Sequence, residues 1–213
     1  MATMDGRRGW IHFPGYMTLT LAWMTFCLIA SLARAAESAT QDEIEAVWKP
    51  HELIFEYRGY DTFYTCSGLR DKLGRILRHL GARRPPELRA YDCNDSTGVV
   101  RFQVMFESPL EATEKNVREL TTYDSRELLL ARTRAESLPT AQDLERFPAT
   151  WKTVSFANDR KLGLDPGDCQ LVQQLRHQIL TRMSIQVLRT RRCSAFRELS
   201  RPGLTVSALV ATR

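Results

Sequence analysis

The feature that most constrains this chain is a frame that occurs twice. WKPHELIFEYRGYDTFYTC runs from Trp48 to Cys66 and WKTVSFANDRKLGLDPGDC from Trp151 to Cys169, with the same Trp-Lys opening and the same spacing to the cysteine. At this offset of 103 residues, Leu69 falls on Val172, Ile76-Leu77 on Ile179-Leu180 and Leu80 on Met183. Upstream, TQDEIEAVWK resembles TAQDLERFPATWK once a gap is allowed, and downstream Cys93 meets Cys193 with a three-residue shift. Ordered matches of this kind are the mark of internal duplication. Both copies must then fold into the same elements. They must also share a core, because one short four-element unit buries too little apolar surface to stand alone.

Each copy reads as strand, helix, strand, strand. A short opening helix is expected at Thr40 and again at Thr140, each an N-cap followed by acidic residues. The first strand is expected around Glu52–Tyr57 and Lys152–Phe156, with Ile54 or Val154 facing the core. A helix follows in which apolar residues recur at three and four: Leu69, Leu73, Ile76, Leu77 and Leu80, then Val172, Leu175, Ile179, Leu180 and Met183. Thr65 and Asp168 stand at its N-cap, which places Cys66 and Cys169 at the first helical position. Glu87–Asp92 with Val99–Phe106, and Ser184–Thr190 with Leu204–Ala211, supply the closing strands. The predicted fold class is α+β, two tandem βαββ repeats sharing a core about a pseudo-two-fold. Residues 36–106 form the first unit and 140–213 the second. Residues 107–139 connect them, with a helix expected near Ser125–Glu136.

Residues 1–35 read as a leader rather than as part of the fold. Arg7 and Arg8 make a basic start, Met17 to Ala33 is an apolar run broken only by Thr and Ser, and Ala33-Arg34-Ala35 has the small-x-small pattern of a signal-peptidase site. A run of about 17 residues is at the short limit for crossing a bilayer, so cleavage is expected in preference to a retained membrane anchor. The mature chain is expected to be periplasmic or secreted, with no membrane span. Removing 1–35 takes three Arg and one Asp from a net charge of +5, leaving +3. That balance is compatible with an acidic partner, but it is far below the charge density of a dedicated nucleic-acid binder.

Cys66, Cys93, Cys169 and Cys193 remain after cleavage, and four cysteines behind an export signal read as two disulfides. A helix joining two parallel strands runs antiparallel to both, so its N-terminus lies beside the C-terminal end of the second strand. This geometry predicts the local pairs Cys66–Cys93 and Cys169–Cys193, each contributing roughly 3 kcal/mol. A thiol at a helix N-terminus can also be a nucleophile. Here there is no Cys-x-x-Cys pair and no close Cys spacing of the kind zinc sites use.

The sequence assigns no catalytic, metal-binding or cofactor-binding residue, and no cofactor. His51, His79 and His177 form no His-x-x-x-His pair, and Gly-x-Ser-x-Gly, glycine-rich phosphate-loop and His-Glu-x-x-His motifs are absent. The aromatic stretch Phe55, Tyr57, Tyr60, Phe63 and Tyr64 is different, with Arg58 and Arg70 nearby. Aromatics on a surface stack on sugar rings or nucleobases; buried, they only close the end of a strand. Tyr57, Arg58, Tyr60, Phe63 and Tyr64 are therefore the candidate ligand-binding residues. The second copy replaces them with NDRKLGLDPGD, which has no aromatic after Phe156. Basic clusters at Arg83-Arg84 and at Arg189, Arg191, Arg192, Arg197 and Arg201 face either solvent or an anion.

The runs FYTCSGLRDKL and PGDCQLVQQLR, with their Trp partners, resemble an uncharacterised family of secreted proteobacterial proteins over most of the mature chain. The resemblance implies export and paired cysteines and brings no activity or ligand with it. The expected function is that of an exported, non-catalytic envelope or periplasmic protein acting by binding or as a structural component. The alternatives are a secreted hydrolase, or a binder of an anionic polymer such as nucleic acid or cell-wall glycan. The partner expected is an envelope protein or such a polymer.

Overall fold

The computed structural model describes residues 43–60, 62–94, 98–191 and 202–212. The chain divides into Met1–Thr40, which lies outside the described residues, and the compact unit Gln41–Arg213. The leader, Thr40, Cys193, Arg192, Arg197 and Arg201 all fall outside the described residues.

Within the compact unit, β1 (Ile44–Arg58) leads to α1 (Cys66–His79), β2 (Glu87–Asn94) and β3 (Val99–Glu111). Two helices follow, α2 (Glu114–Leu120) and α3 (Ser125–Arg134). Then come β4 (Arg146–Ser155), α4 (Cys169–Gln178), β5 (Ile185–Thr190) and β6 (Leu204–Ala211). The strands form one six-stranded sheet in the order β2-β3-β1-β4-β6-β5, with every neighbouring pair antiparallel. β1 and β2 therefore point the same way with β3 between them, and β4 and β5 do so with β6 between them. The fold is α+β.

The core lies on one face of this sheet. In β1, His51, Leu53, Phe55 and Tyr57 are buried while Glu52 and Ile54 between them are exposed, the period of two that a half-buried strand requires. In β3, Val100, Phe102, Val104 and Phe106 do the same. α1 brings Leu69, Leu73, Ile76, Leu77 and Leu80 onto this face, and α4 with the turn after it brings Val172, Leu175, Ile179, Leu180 and Met183. All of these share one cluster with Val154, Phe156, Leu204 and Val206. All of these described core residues lie within Gln41–Arg213. At full burial each Leu or Ile contributes about 1.5–3 kcal/mol.

Several expectations are corrected. The residues expected to start a helix after Thr40 are strand, because Ile44–Val47 pairs with Ala149–Arg146 across the centre of the sheet. The same pairing starts β4 at Arg146, and Thr140 caps only a turn, its N–H and hydroxyl both donating to Asp143 Oδ2. Ladder hydrogen bonds to a partner strand override local helix signals, and the sequence does not announce the partner. Ile54 points away from the core, 51% exposed: once Phe55 and Tyr57 face inward, the strand period sends Ile54 out. The connecting segment carries two helices, α2 as well as the expected α3.

Cys66 and Cys93 are disulfide-bonded, with Cα atoms 6.0 Å apart. The geometry is the one argued from the sequence: the first residue of α1 lies beside the C-terminal end of β2. Cys169 is disulfide-bonded too, and its predicted partner Cys193 lies outside the described residues.

Candidate functional site

The aromatic candidates lie where β1 ends and α1 begins, and the structure divides them into two sets. Tyr57 is 1% exposed, the last inward residue of β1, and its hydroxyl donates to Thr62 O at 2.5 Å. Tyr64 packs edge-on against Tyr57, with ring centroids 5.0 Å apart, and its hydroxyl donates to Asp168 Oδ1. Burial first, then the bond to Asp168, raises the Tyr64 pKa well above that of a free phenol, so Tyr64 is fixed as a donor. Tyr60 and Phe63, between these two, are 73% and 66% exposed.

What holds this loop comes from the other half of the chain. Asp168 is 2% exposed and accepts from Tyr64, from Lys72 Nζ at 2.6 Å and from the Asp165 N–H at 2.7 Å. Lys72 also reaches Asp165 Oδ2 at 3.2 Å and lies 5.4 Å over the Tyr64 ring. Thr65 caps α1 as expected, its hydroxyl accepting from the Gly68 N–H at 3.1 Å. Asp168 does not cap α4 through its side chain. Its carboxylate serves the bridge to Tyr64 and Lys72 instead, since a buried charge needs a countercharge more than a helix end needs a cap.

A second support is a row of glutamines on α4. β1 pairs with β4 only at its beginning, so the backbone of its far half is left without a strand on that side. Gln178 Oε1 accepts from the Glu56 N–H and its Nε2 donates to Glu56 O, both at 2.8 Å. Gln174 treats Arg58 the same way, at 2.9 and 2.8 Å, and Gln170 accepts from the Tyr60 N–H at 3.0 Å. Four helical residues rise about 6.0 Å and two strand residues about 6.6 Å, so glutamines at i, i+4 and i+8 match every second strand residue. Side-chain amides complete the ladder that β4 leaves unfinished.

The tip is anchored by close packing as well. The Gly59 N–H donates to Gly98 O at 2.9 Å, and a Cβ on Gly98 would lie 2.7 Å from the Phe63 ring. Gly98 has φ +65°, a conformation glycine adopts without strain. Arg58 is not a free cation beside the tip, because its guanidinium pairs with Glu56, which Arg101 also holds at 2.6 Å. These hydrogen bonds, from Arg101 first and Arg58 second, keep the Glu56 carboxyl below the usual carboxylate range. Arg70 lies over Phe102, 5.9 Å from the ring centroid. The same end of the sheet also carries Tyr91, 74% exposed at the bulge in β2.

The three histidines have separate partners. His51 is buried, its Nε2 2.9 Å from Ser108 Oγ, and His79 Nε2 is 2.6 Å from Asp159 Oδ2. His177 lines a cleft of about 480 Å³ with Gln173, Arg176 and Thr190, and no Asp or Glu is among its described lining residues. Among the described residues no group of three His, Cys, Asp or Glu is placed to hold a metal ion. Arg83 is engaged by Glu145 at 2.5 Å and Glu107 at 3.6 Å, and lies over Trp48.

From sequence, the loop's aromatics stood out while its supports did not. Local sequence marks Asp168 only as a cap and gives no sign of Lys72; the i, i+4, i+8 glutamine row in CQLVQQLRHQ is the one signal of the ladder. No protein-family model, curated protein or solved structure matches the chain.

Proposed function

We propose that this is an exported, non-catalytic binding protein of the cell envelope that contacts a cell-wall glycan through the tip of the loop between β1 and α1. The observation that carries the reading is the contrast within that loop. Tyr57 is buried and Tyr64 half-buried, its hydroxyl bonded to Asp168, while Tyr60 and Phe63 project at 73% and 66% exposure. A rigid backbone presenting bare aromatic faces loses little entropy on contact, and sugar rings stack on such faces. Tyr60 and Phe63 supply the stacking surface, and Tyr57 and Tyr64 hold the loop. Arg58, paired with Glu56, sits at the rim.

The scaffold is read as two βαββ units that arose by duplication, within the secreted family its cysteine runs resemble. In support, counting outward from the β1–β4 seam gives first, third and second strand on both sides. The leader-like residues 1–35 and the disulfides support export.

The test is co-sedimentation with insoluble cell-wall glycan. Tyr60→Ala/Phe63→Ala is expected to abolish at least about nine-tenths of the retention while lowering stability by no more than about 1 kcal/mol, the cost falling on Phe63, whose ring packs on Gly98. Retention equal to that of the wild type, with the fold intact, would remove the loop from the binding surface.

A further inference from the structure

We infer that the cleft where α4 faces the end of β5 and the start of β6 is a phosphate-binding site clamped by Arg176 and Arg191. The cleft encloses about 480 Å³, and Gln173, Arg176 and His177 of α4 meet Thr190 and Arg191 around it. That volume falls within the range of small-molecule sites. Its positive groups come from two elements. Arg176 and His177 stand in the last turn of α4, where a helix C-terminus favours positive charge. The helix dipole does not account for Arg191, which follows β5 in the chain yet lines the same cleft. Among the described residues none of the three is joined to a carboxylate, and no Asp or Glu lines the cleft. Like charges gathered on a concave wall focus a positive potential into the cavity, and a bound anion relieves it.

Both arginines are held in place before any ligand arrives. Arg176 Nη1 donates to Thr190 Oγ1 at 3.0 Å, which ties α4 to the end of β5. The Arg191 N–H donates to Gly203 O at 2.7 Å, and the Arg191 stem lies over Gly203, where an added Cβ would come within 2.6 Å of Arg191 Cβ. The missing side chain at Gly203 is what lets the stem lie against the backbone. Two guanidinium forks, an imidazole and the Gln173 amide present more donors than the oxygens of one carboxylate accept. A phosphate, with its further oxygens and greater charge, matches such a set, and arginine forks bind it in bidentate fashion. Val172 and Leu204 give the cleft an apolar wall on which the organic part of a phosphate ester can lie. The inference goes beyond the glycan reading and does not depend on it.

The test is isothermal titration calorimetry of the full chain, disulfides intact, with inorganic phosphate, glycerol phosphate, glycerol and glycerate. Both phosphates are expected to bind and glycerol to give no heat of binding. Arg191→Gln is expected to weaken both phosphates at least about tenfold, with an unchanged melting temperature because the side chain is exposed. Gly203→Ala, which displaces the Arg191 stem without removing a charge, is expected to weaken them several-fold. Tyr60→Ala/Phe63→Ala is expected to bind them as the wild type does. Tighter binding of glycerol phosphate than of inorganic phosphate would assign the site to an ester, and equal binding to the free ion; either upholds it. Absence of binding by both phosphates, or wild-type affinity in Arg191→Gln, would overturn the inference. So would glycerate binding as tightly as glycerol phosphate, since the cleft would then select a carboxylate equally well.

Discussion

His51 is enclosed between the Phe106 ring, 4.7 Å from its own, and the Ser108 hydroxyl. Burial above all, then the positive charges of Lys49 and Arg182, lowers its pKa to about 4. In the unfolded chain a histidine titrates near 6.5. As pH falls, the unfolded state therefore takes up this proton before the native state does. The stabilisation is fully present above about pH 6.5 and is lost progressively toward pH 4, up to about 3 kcal/mol in total. The expected result is a urea midpoint that falls over this window in the wild type more steeply than in His51→Gln. Parallel curves for the two proteins would show that His51 titrates alike in both states. The sequence placed His51 at the start of a strand without showing that it would be buried. That depended on β3 lying alongside, with Phe106 opposite His51 in register.

At the scale of elements, helix periodicity was the most legible signal and strand ends the least. The apolar positions of α1 and α4 are all inside, because a 3.6-residue period permits only one buried stripe. β1 and β4 run longer toward their N-termini than their own residues indicated, because they pair with each other there. Where that pairing ends, α4 takes over through Gln174 and Gln178. Gln178→Ala removes both hydrogen bonds to the Glu56 backbone and is expected to cost about 1–2 kcal/mol. Amide exchange at Glu56 should accelerate by a matching factor, while that of residues bonded to β3 should not. Unchanged exchange at Glu56 would mean that water or another group satisfies the strand edge.

At the scale of the whole molecule, the two halves cannot be separated. One hydrophobic cluster holds Phe55 and Leu73 together with Phe156 and Leu175, and the Lys72–Asp168 pair and the glutamine row cross the same boundary. The segment Gln41–Ala112 alone would expose half of that cluster and leave Lys72 and Tyr64 without Asp168. It is expected to show no cooperative thermal transition by near-UV circular dichroism, whereas Gln41–Arg213 shows one. A sharp transition in the isolated half would establish that each unit has a sufficient core. The sheet runs the length of β1, a strand of 15 residues spanning about 50 Å, from the β1–β4 pairing at its start to the aromatic tip at its end. The sequence by itself determined α1, α3 and α4, the closing strands, the Cys66–Cys93 pairing and the aromatic stretch, because these rest on local periodicity and on the antiparallel packing of a helix on its strands. Only the tertiary structure decided which aromatics are anchors and which are exposed. That choice was made by Asp168, Lys72 and three glutamines, most of them a hundred residues away, whose partners no local pattern encodes.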